Sequence, residues 1–189
     1  MVVEQRGLVE QARAGDHDAF ALLARAAIGR LDGIARLMLR DGEEARDAVQ
    51  ETQIRAWRDL PGLREPGRFD AWLYRLAVHA CYDAIRHRRR QPVRSSSVED
   101  VAASVGGGFG VVEDRELLSQ ALVHLRPEWR AVIVLHYYLG MTLPDVAASL
   151  RIPLGTAQSR HHRSLRAMRE TIEGEATAAR SPLREGQLA

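Results

Sequence analysis

The chain has 189 residues, 46% of them hydrophobic, and a formal net charge of only +2, which leaves room for one globular domain or two small ones and excludes a uniformly basic polyelectrolyte. Any affinity for nucleic acid must come from local patches. No window approaches the roughly 18 apolar residues of a membrane span, the start carries no long apolar run, and the single cysteine, Cys81, excludes an internal disulfide or a cysteine-built zinc site, so the expectation is a cytoplasmic protein with one small buried thiol.

Helical periodicity runs through most of the chain, and no segment reads as a strand. After a short first helix, Phe20, Leu23, Ala24, Ala27, Leu31, Ile34, Ala35 and Met38 recur at three-and-four spacing, opened by Gly15-Asp16 and closed near Asp41-Gly42. Ala45, Ala48, Val49, Ala56, Trp57 and Leu60 form a third stripe ended by Pro61-Gly62, and the loop from Leu60 to Gly67 carries two Pro and two Gly. Phe69, Trp72, Leu73, Leu76, Ala77, Ala80 and Ala84 describe the core face of a fourth helix that runs into His87-Arg88-Arg89-Arg90. Phe69 and Trp72 lie on that stripe and are read as packing residues. Four helices on one core make a sufficient first module, residues 1–90.

Residues 91–112 break the pattern with Pro92, Ser95, Ser96, Ser97 and the glycines 106, 107, 108 and 110. One Arg against four acids over residues 91–114 makes this stretch acidic, and a flexible linker is predicted. A second module, residues 113–173, resumes with Leu117, Leu118, Ala121, Leu122 and Leu125, stops at Arg126-Pro127, and restarts through Trp129, Val132, Ile133 and His136 before Gly140. Residues 174–189 show no clear stripe and read as a frayed or disordered tail.

Inside the second module, residues 141–168, MTLPDVAASLRIPLGTAQSRHHRSLRAM, read as two helices joined by a tight turn. That is the pattern of a helix-turn-helix reader of duplex DNA. Thr142 can cap the first helix with Asp145 closing a capping box, Pro144 is tolerable in the first turn, and Thr156 is expected to cap the second helix. Counted from there, Ala157, His161, Leu165 and Met168 share an inner stripe, and Gln158, Ser159, His162, Arg163 and Arg166 fall outside it. Arg can pair with guanine and Gln with adenine, or either can hold phosphate. Residues 151–169 contain five Arg and no acid. His161 reads as a satisfied, half-buried residue, and His136, His161 and His162 do not form a metal-ligand set.

Two helical modules in this order, with RDAVQETQIRAWR at 46–58, FDAWLYRLA at 69–77 followed by Asp83, Arg86 and the Arg run, LRPEWRAVIVLHYYLGMTLPDVA at 125–147 and GTAQSRHHR at 155–163, resemble the extracytoplasmic-function sigma factors of bacterial RNA polymerase. The resemblance covers nearly the whole chain and implies an all-α protein of two modules joined by a flexible linker. It implies promoter recognition, strand opening and transcription initiation with RNA polymerase core, with no cofactor and no metal.

The residue roles follow from the resemblance, set beside what each residue type can do. Asp47, Gln50, Glu51 and Ile54 share the face of the third helix opposite its core stripe, and in the family this face grips the β′ subunit; a merely solvated face is the alternative. On the fourth helix, Arg75, His79, Tyr82, Asp83, Arg86 and Arg90 line the face opposite the core, where Arg suits phosphate and Tyr and His suit unpaired bases. Similar positions in the family hold the non-template strand of the minus-ten element, and the preceding loop, here with Arg64 and Arg68, helps receive a flipped base. Thr156, Gln158, Ser159, His162, Arg163 and Arg166 would read the minus-thirty-five duplex. Family habit adds an anti-sigma protein as a partner.

Three residues depart from the family pattern. His79 stands where Asn is usual, Arg151 where a Gly ends the first reader helix, and His161 where an aliphatic residue is usual. Two rival readings remain at this point: a helix-turn-helix regulator acting without polymerase, and an enzyme. Against the enzyme, Glu51, His79 and Cys81 form no nucleophile-base-orienter set and no Gly-rich phosphate loop is present.

Overall fold

The computed structural model describes residues 2–90, 118 and 120–180, and every regular element among them is helical. The first module consists of α1 (Val2–Arg13), α2 (His17–Leu39), α3 (Gly42–Asp59) and α4 (Phe69–Arg90). Asp16 and Asp41 open α2 and α3 by accepting the backbone N–H groups of Asp18 and Ala19, and of Glu43 and Glu44, at 2.9–3.0 Å. These are donors that the first helical turn leaves without partners. The loop before α4 is built from two short 3-10 turns, Leu60–Gly62 and Pro66–Arg68, each with Pro near its start. The expected linker, residues 91–112, lies outside the described residues.

The second module contains a short helical stretch, α5 (120–124), then α6 (Pro127–Ile133), a π-helical turn over Val134–Tyr138, α7 (Leu143–Leu150) and α8 (Leu154–Arg180). Backbone helix therefore continues through 174–180, where the sequence suggested a frayed tail, and residues 181–189 lie outside the described residues. The π turn widens the helix by one residue, so the side chains after Ile133 fan out differently from the three-and-four stripe. His136 and Tyr137 turn toward α8, and the Tyr138 hydroxyl donates to the Gly29 carbonyl of α2 at 3.5 Å.

The modules do not stand apart. Ala131, Val132, Val134, Leu135 and Val146 are buried in the same cluster as the first module's Leu31, Ile34, Met38, Phe69, Leu73 and Val78, while Ala121, Leu122, Leu125, Ile133 and Met168 form a smaller cluster of their own. Polar contacts stitch the seam. Ser149 Oγ donates to the Ala71 carbonyl at 2.8 Å. Arg130, 5% exposed, donates to the carbonyl of Met38 and to those of Val123 and Leu125 at 2.6 and 3.0 Å. Met38 lies in the last turn of α2, whose carbonyls have no helical partners and carry the negative end of the helix dipole. Burial lowers the Arg130 guanidinium to about 10, with the charges of Arg88 and Arg40 acting in the same direction. It stays charged at neutral pH and has carbonyl partners in place of a carboxylate.

Gly33 makes the close approach of α2 to the π turn possible, since a Cβ there would overlap the Tyr138 ring and hydroxyl. Helix propensity alone would make Ala better than Gly by about 1 kcal/mol in this helix interior. Gly33→Ala should nonetheless lower stability, overpacking costing about 1–3 kcal/mol, and should speed amide exchange across Val134–Tyr138. Urea titration with hydrogen-exchange mass spectrometry checks both; a stabilised variant with unchanged exchange would show that the seam does not depend on this contact.

Candidate polymerase and nucleic-acid interfaces

The α3 face is mostly open. Ala45, Ala48, Val49, Thr52 and Ala56 turn inward, with Thr52 donating to the Ala48 carbonyl at 2.7 Å, and Trp57 lies half-buried against the rings of His17 and Phe20 at 4.4 and 5.1 Å. Asp47, Gln50 and Ile54 are exposed, Ile54 to 52%. Glu51 differs. It is half-buried and accepts from Arg55 Nε at 2.6 Å, and Arg55 reaches on to Asp83 of α4 at 2.9 Å. Of the four expected contact residues, Glu51 thus also ties α3 to α4.

On α4 the structure separates the expected strand-reading residues into two kinds. Arg86 and Arg90 are exposed near the helix end, and Arg86 is held by Asp83. Burial pushes the Asp83 carboxyl up, but the hydrogen bonds from Arg55 and Arg86 outweigh this and hold it below its ordinary value. His79 is exposed and its ring lies 6.0 Å from that of Tyr82; partial desolvation of the ring, helped by the Arg75 charge, lowers its pKa from the ordinary histidine value, which favours the neutral imidazole at pH 7. Arg75 and Tyr82 are half-buried, and charges of the second module reach both of them. Burial first and then the Arg151 charge lower the Arg75 guanidinium. Burial first and then Glu128 raise the Tyr82 phenol. In the loop, Arg64 and Arg68 are exposed, Arg68 paired with Glu65 at 2.7 Å. Phe69 is buried and Trp72 half-buried with rings 5.9 Å apart, in keeping with packing roles. Cys81 is fully buried, and burial raises its thiol to about 12.

The helix-turn-helix forms as a local unit. The Asp145 N–H donates to Thr142 Oγ1 at 3.3 Å, the Thr142 hydroxyl in turn donates to the Asp145 carboxylate, and Arg151 ends α7 in the left-handed region at φ 54 and ψ 47. The second helix starts earlier than expected. Thr156 N–H donates to the Pro153 carbonyl at 2.9 Å and α8 begins at Leu154, so Thr156 sits inside the first turn and is no cap. The inner stripe is also corrected: Ser164 is fully buried, donating to the Arg160 carbonyl at 2.7 Å, while Leu165 is 38% exposed. A 157, 161, 164, 168 spacing keeps one face where 157, 161, 165, 168 drifts off it, and the buried Ser hid the choice. Gln158, Ser159, His162, Arg163 and Arg166 are all exposed and Thr156 is half-buried. His161 is half-buried, hydrogen-bonded through Nε2 to the Tyr137 hydroxyl at 3.1 Å and edge-on to His136 at 5.2 Å. His136 Nδ1 in turn donates to the Met141 carbonyl at 2.6 Å.

Two family models match the chain, Sigma-70 region 2 over residues 23–91 and Sigma-70, region 4 over residues 115–168. The chain is 34% identical over 147 residues to the ECF RNA polymerase sigma factor SigM of Mycobacterium tuberculosis, a match covering 78% of this chain and 74% of that protein. Among solved structures it resembles CnrH in complex with the cytosolic domain of CnrY, with a TM-score of 0.68 at 26% identity over 90% of this chain and 98% of that one. It also resembles the sigma factor RpoE in complex with the anti-sigma factor NepR from Bartonella quintana, with a TM-score of 0.63 at 25% identity over 80% and 93% of the two chains. The chain belongs to the extracytoplasmic-function sigma factors of bacterial RNA polymerase. It binds the polymerase core and promoter DNA and directs transcription initiation, and the region 2 match removes the rival reading of a regulator that works without polymerase. Among the described residues, no helix is long and apolar enough to cross a membrane.

The left-handed Arg151 generates a local prediction, because a side chain there carries a steric cost that Gly avoids. Arg151→Gly should raise stability by about 0.5–1 kcal/mol, read as a higher denaturation midpoint at unchanged slope.

Proposed function

We propose that residues 1–90 form the module that grips polymerase and holds the melted minus-ten strand, that 91–112 form an acidic linker, and that the module from 113 to 173 docks on the minus-thirty-five duplex. Residues 174–189 have no assigned part in this division. In this reading Asp47, Gln50, Glu51 and Ile54 contact the β′ subunit, with Ile54 as the apolar centre of a charged rim. Arg64, Arg68, Arg75, His79, Tyr82, Arg86 and Arg90 hold the separated strand. Thr156, Gln158, Ser159, His162, Arg163 and Arg166 face the duplex. The protein acts in the cytoplasm and supplies binding and strand capture, and the polymerase makes the phosphodiester bonds.

The observation that carries this division is that two unlike surfaces stand on different modules. The outer face of α8 is bare and basic, suited to base edges and phosphates in a major groove. The α4 face mixes arginines with a neutral His and a Tyr, suited to unpaired bases, and two of its members face the seam. Arg151 stands near enough to Arg75, and Glu128 and Arg160 near enough to Tyr82, to influence their ionisation. Strand capture by this face therefore requires the modules to part. The Bartonella neighbour was solved with an anti-sigma factor, and a protein of that kind is a further partner in this reading.

Two experiments test the assignments. Because Glu51 also anchors Arg55, the polymerase face is best probed with Asp47→Arg combined with Ile54→Asp, which touch no buried partner. The double variant should bind core polymerase about 30-fold more weakly, the size of a hot-spot loss near 2 kcal/mol, with its melting temperature little changed. Wild-type affinity in a competition assay would remove this face as the interface. For the DNA faces, Arg163→Ala should cost holoenzyme about 1–3 kcal/mol of promoter affinity if the contact is bidentate to a base, and should matter little on a template already melted around the start site. His79→Ala with Arg86→Ala should instead abolish permanganate reactivity of unpaired thymines while duplex docking persists. Equal loss from both on the pre-melted template would refute the division.

A further inference from the structure

Beside the recognition helix lies an open recess of about 460 Å³ lined by Arg126, Trp129, Arg163, Arg166, Ala167 and Glu170. Three guanidinium groups line it against one carboxylate, and that carboxylate is already engaged, Glu170 pairing with Arg166 at 3.1 Å across one helical turn. Arg126 precedes α6 and is exposed, its guanidinium 5.6 Å above the Trp129 ring. An aromatic face under an Arg limits where the long side chain can go and lowers the entropy lost when it binds. The wall is firm. Trp129 packs on the second module's own cluster, and the buried Ser164 hydroxyl of α8 lies 3.4 Å from the Trp129 carbonyl, holding the start of α6 against α8.

The position of this recess decides what it can meet. Gln158, Ser159, His162 and Arg163 point outward from the first turns of α8, whereas Arg126 comes from a neighbouring element and flanks the helix level with Arg163 and Arg166. A helix lying in a major groove has base edges beneath it and a phosphate backbone along each side. A rigidly backed Arg on the flank is aimed at the backbone.

We propose that Arg126, supported by Trp129, clamps one backbone phosphate of the minus-thirty-five duplex in this recess, so that the duplex-reading surface of the protein extends beyond the recognition helix to the start of α6. The inference rests on the reading of α8 as the duplex reader. Arg126 then contributes affinity and register without sequence preference, and Arg163 beside it is left to read a base edge.

The test is the salt dependence of holoenzyme binding to a promoter duplex. Neutralising one phosphate contact lowers the slope of log affinity against log salt by about 0.9, so Arg126→Gln should lose about threefold less affinity than wild type when salt rises from about 50 to 200 mM. The variant should bind more weakly at the low-salt end, and equally so on duplexes carrying single base changes in the minus-thirty-five element. Arg126→Lys, which keeps a point charge, should restore most of the slope, and an unchanged melting temperature of Arg126→Gln shows that it is folded. Inorganic phosphate added at matched ionic strength should not compete with the duplex; specific competition would mark the recess as a free-anion site and overturn the proposal. A slope unchanged in Arg126→Gln while Arg163→Ala weakens binding would overturn it but leave the reading of α8 intact. A changed base preference in Arg126→Gln would overturn it by making Arg126 a base reader, and failure of both variants to weaken binding would sink the reading of α8 itself.

Discussion

The last turn of α2 is the place on which the rest of the molecule depends. A helix ends with carbonyls that have few partners within it, and this end is buried, so the last of them draw on groups brought in from elsewhere. Arg130 reaches the Met38 carbonyl from the second module, Arg88 reaches the Leu39 carbonyl from the end of α4 at 3.5 Å, and the Arg40 N–H closes back on Arg36 at 2.9 Å. Positive charge is favoured there by the helix dipole, which explains how a guanidinium can be buried with no carboxylate beside it. Removing Arg130 would strand carbonyls on both sides of the seam, an outcome costlier than any exposed ion pair in the molecule.

That anchorage has consequences for the surfaces above it. With α6 fixed at the end of α2, the π turn brings Tyr138 against Gly33 and α7 lies along α4, where Ser149 bonds Ala71. With this docking Arg75 and Tyr82 are half-buried within reach of the second module's charges, while Gln158, Ser159, His162, Arg163 and Arg166 of α8 stay exposed. The chain is thus arranged so that the proposed duplex-reading face is available and the proposed strand-reading face is half covered. Opening would exchange one set of buried contacts for another supplied by polymerase and promoter.

Electrostatics follows the same logic of local arrangement. A net charge of +2 gives no general attraction to DNA, and many arginines are committed to structure: Arg130 and Arg88 to the end of α2, Arg55 to Glu51 and Asp83, Arg36 to Asp32 at 2.8 Å. Arg163 and Arg166 on α8 and Arg126 before α6 are exposed, Arg166 paired with Glu170 on its own helix and Arg126 lying over Trp129.

Local signals determined a good deal. The stripes of α2, α3 and α4, the opening of α2 at Asp16, the cap at Thr142, the helix-turn-helix and the two-module order were legible because a 3.6-residue period and unpaired terminal N–H groups act over one or two turns, within reach of a sequence pattern. Asp41 reads in that pattern only as the end of α2, and its capping of α3 does not show there. The outward placement of Gln158, Ser159, His162 and Arg163 was legible for the same reason. The early start of α8 was missed because Pro153 opens the helix with no capping side chain, and Ser164 was missed because its hydroxyl is satisfied by a carbonyl that the pattern does not show. Only the tertiary structure decided that Arg55 is tied to Asp83, that Arg130 is buried at the end of α2, that the π turn sends Tyr138 to Gly33, and that Arg126 and Trp129 stand beside the recognition helix. Each of these depends on an atom supplied by a distant segment, and hydrogen-bond satisfaction and steric fit between distant segments leave no period in the sequence.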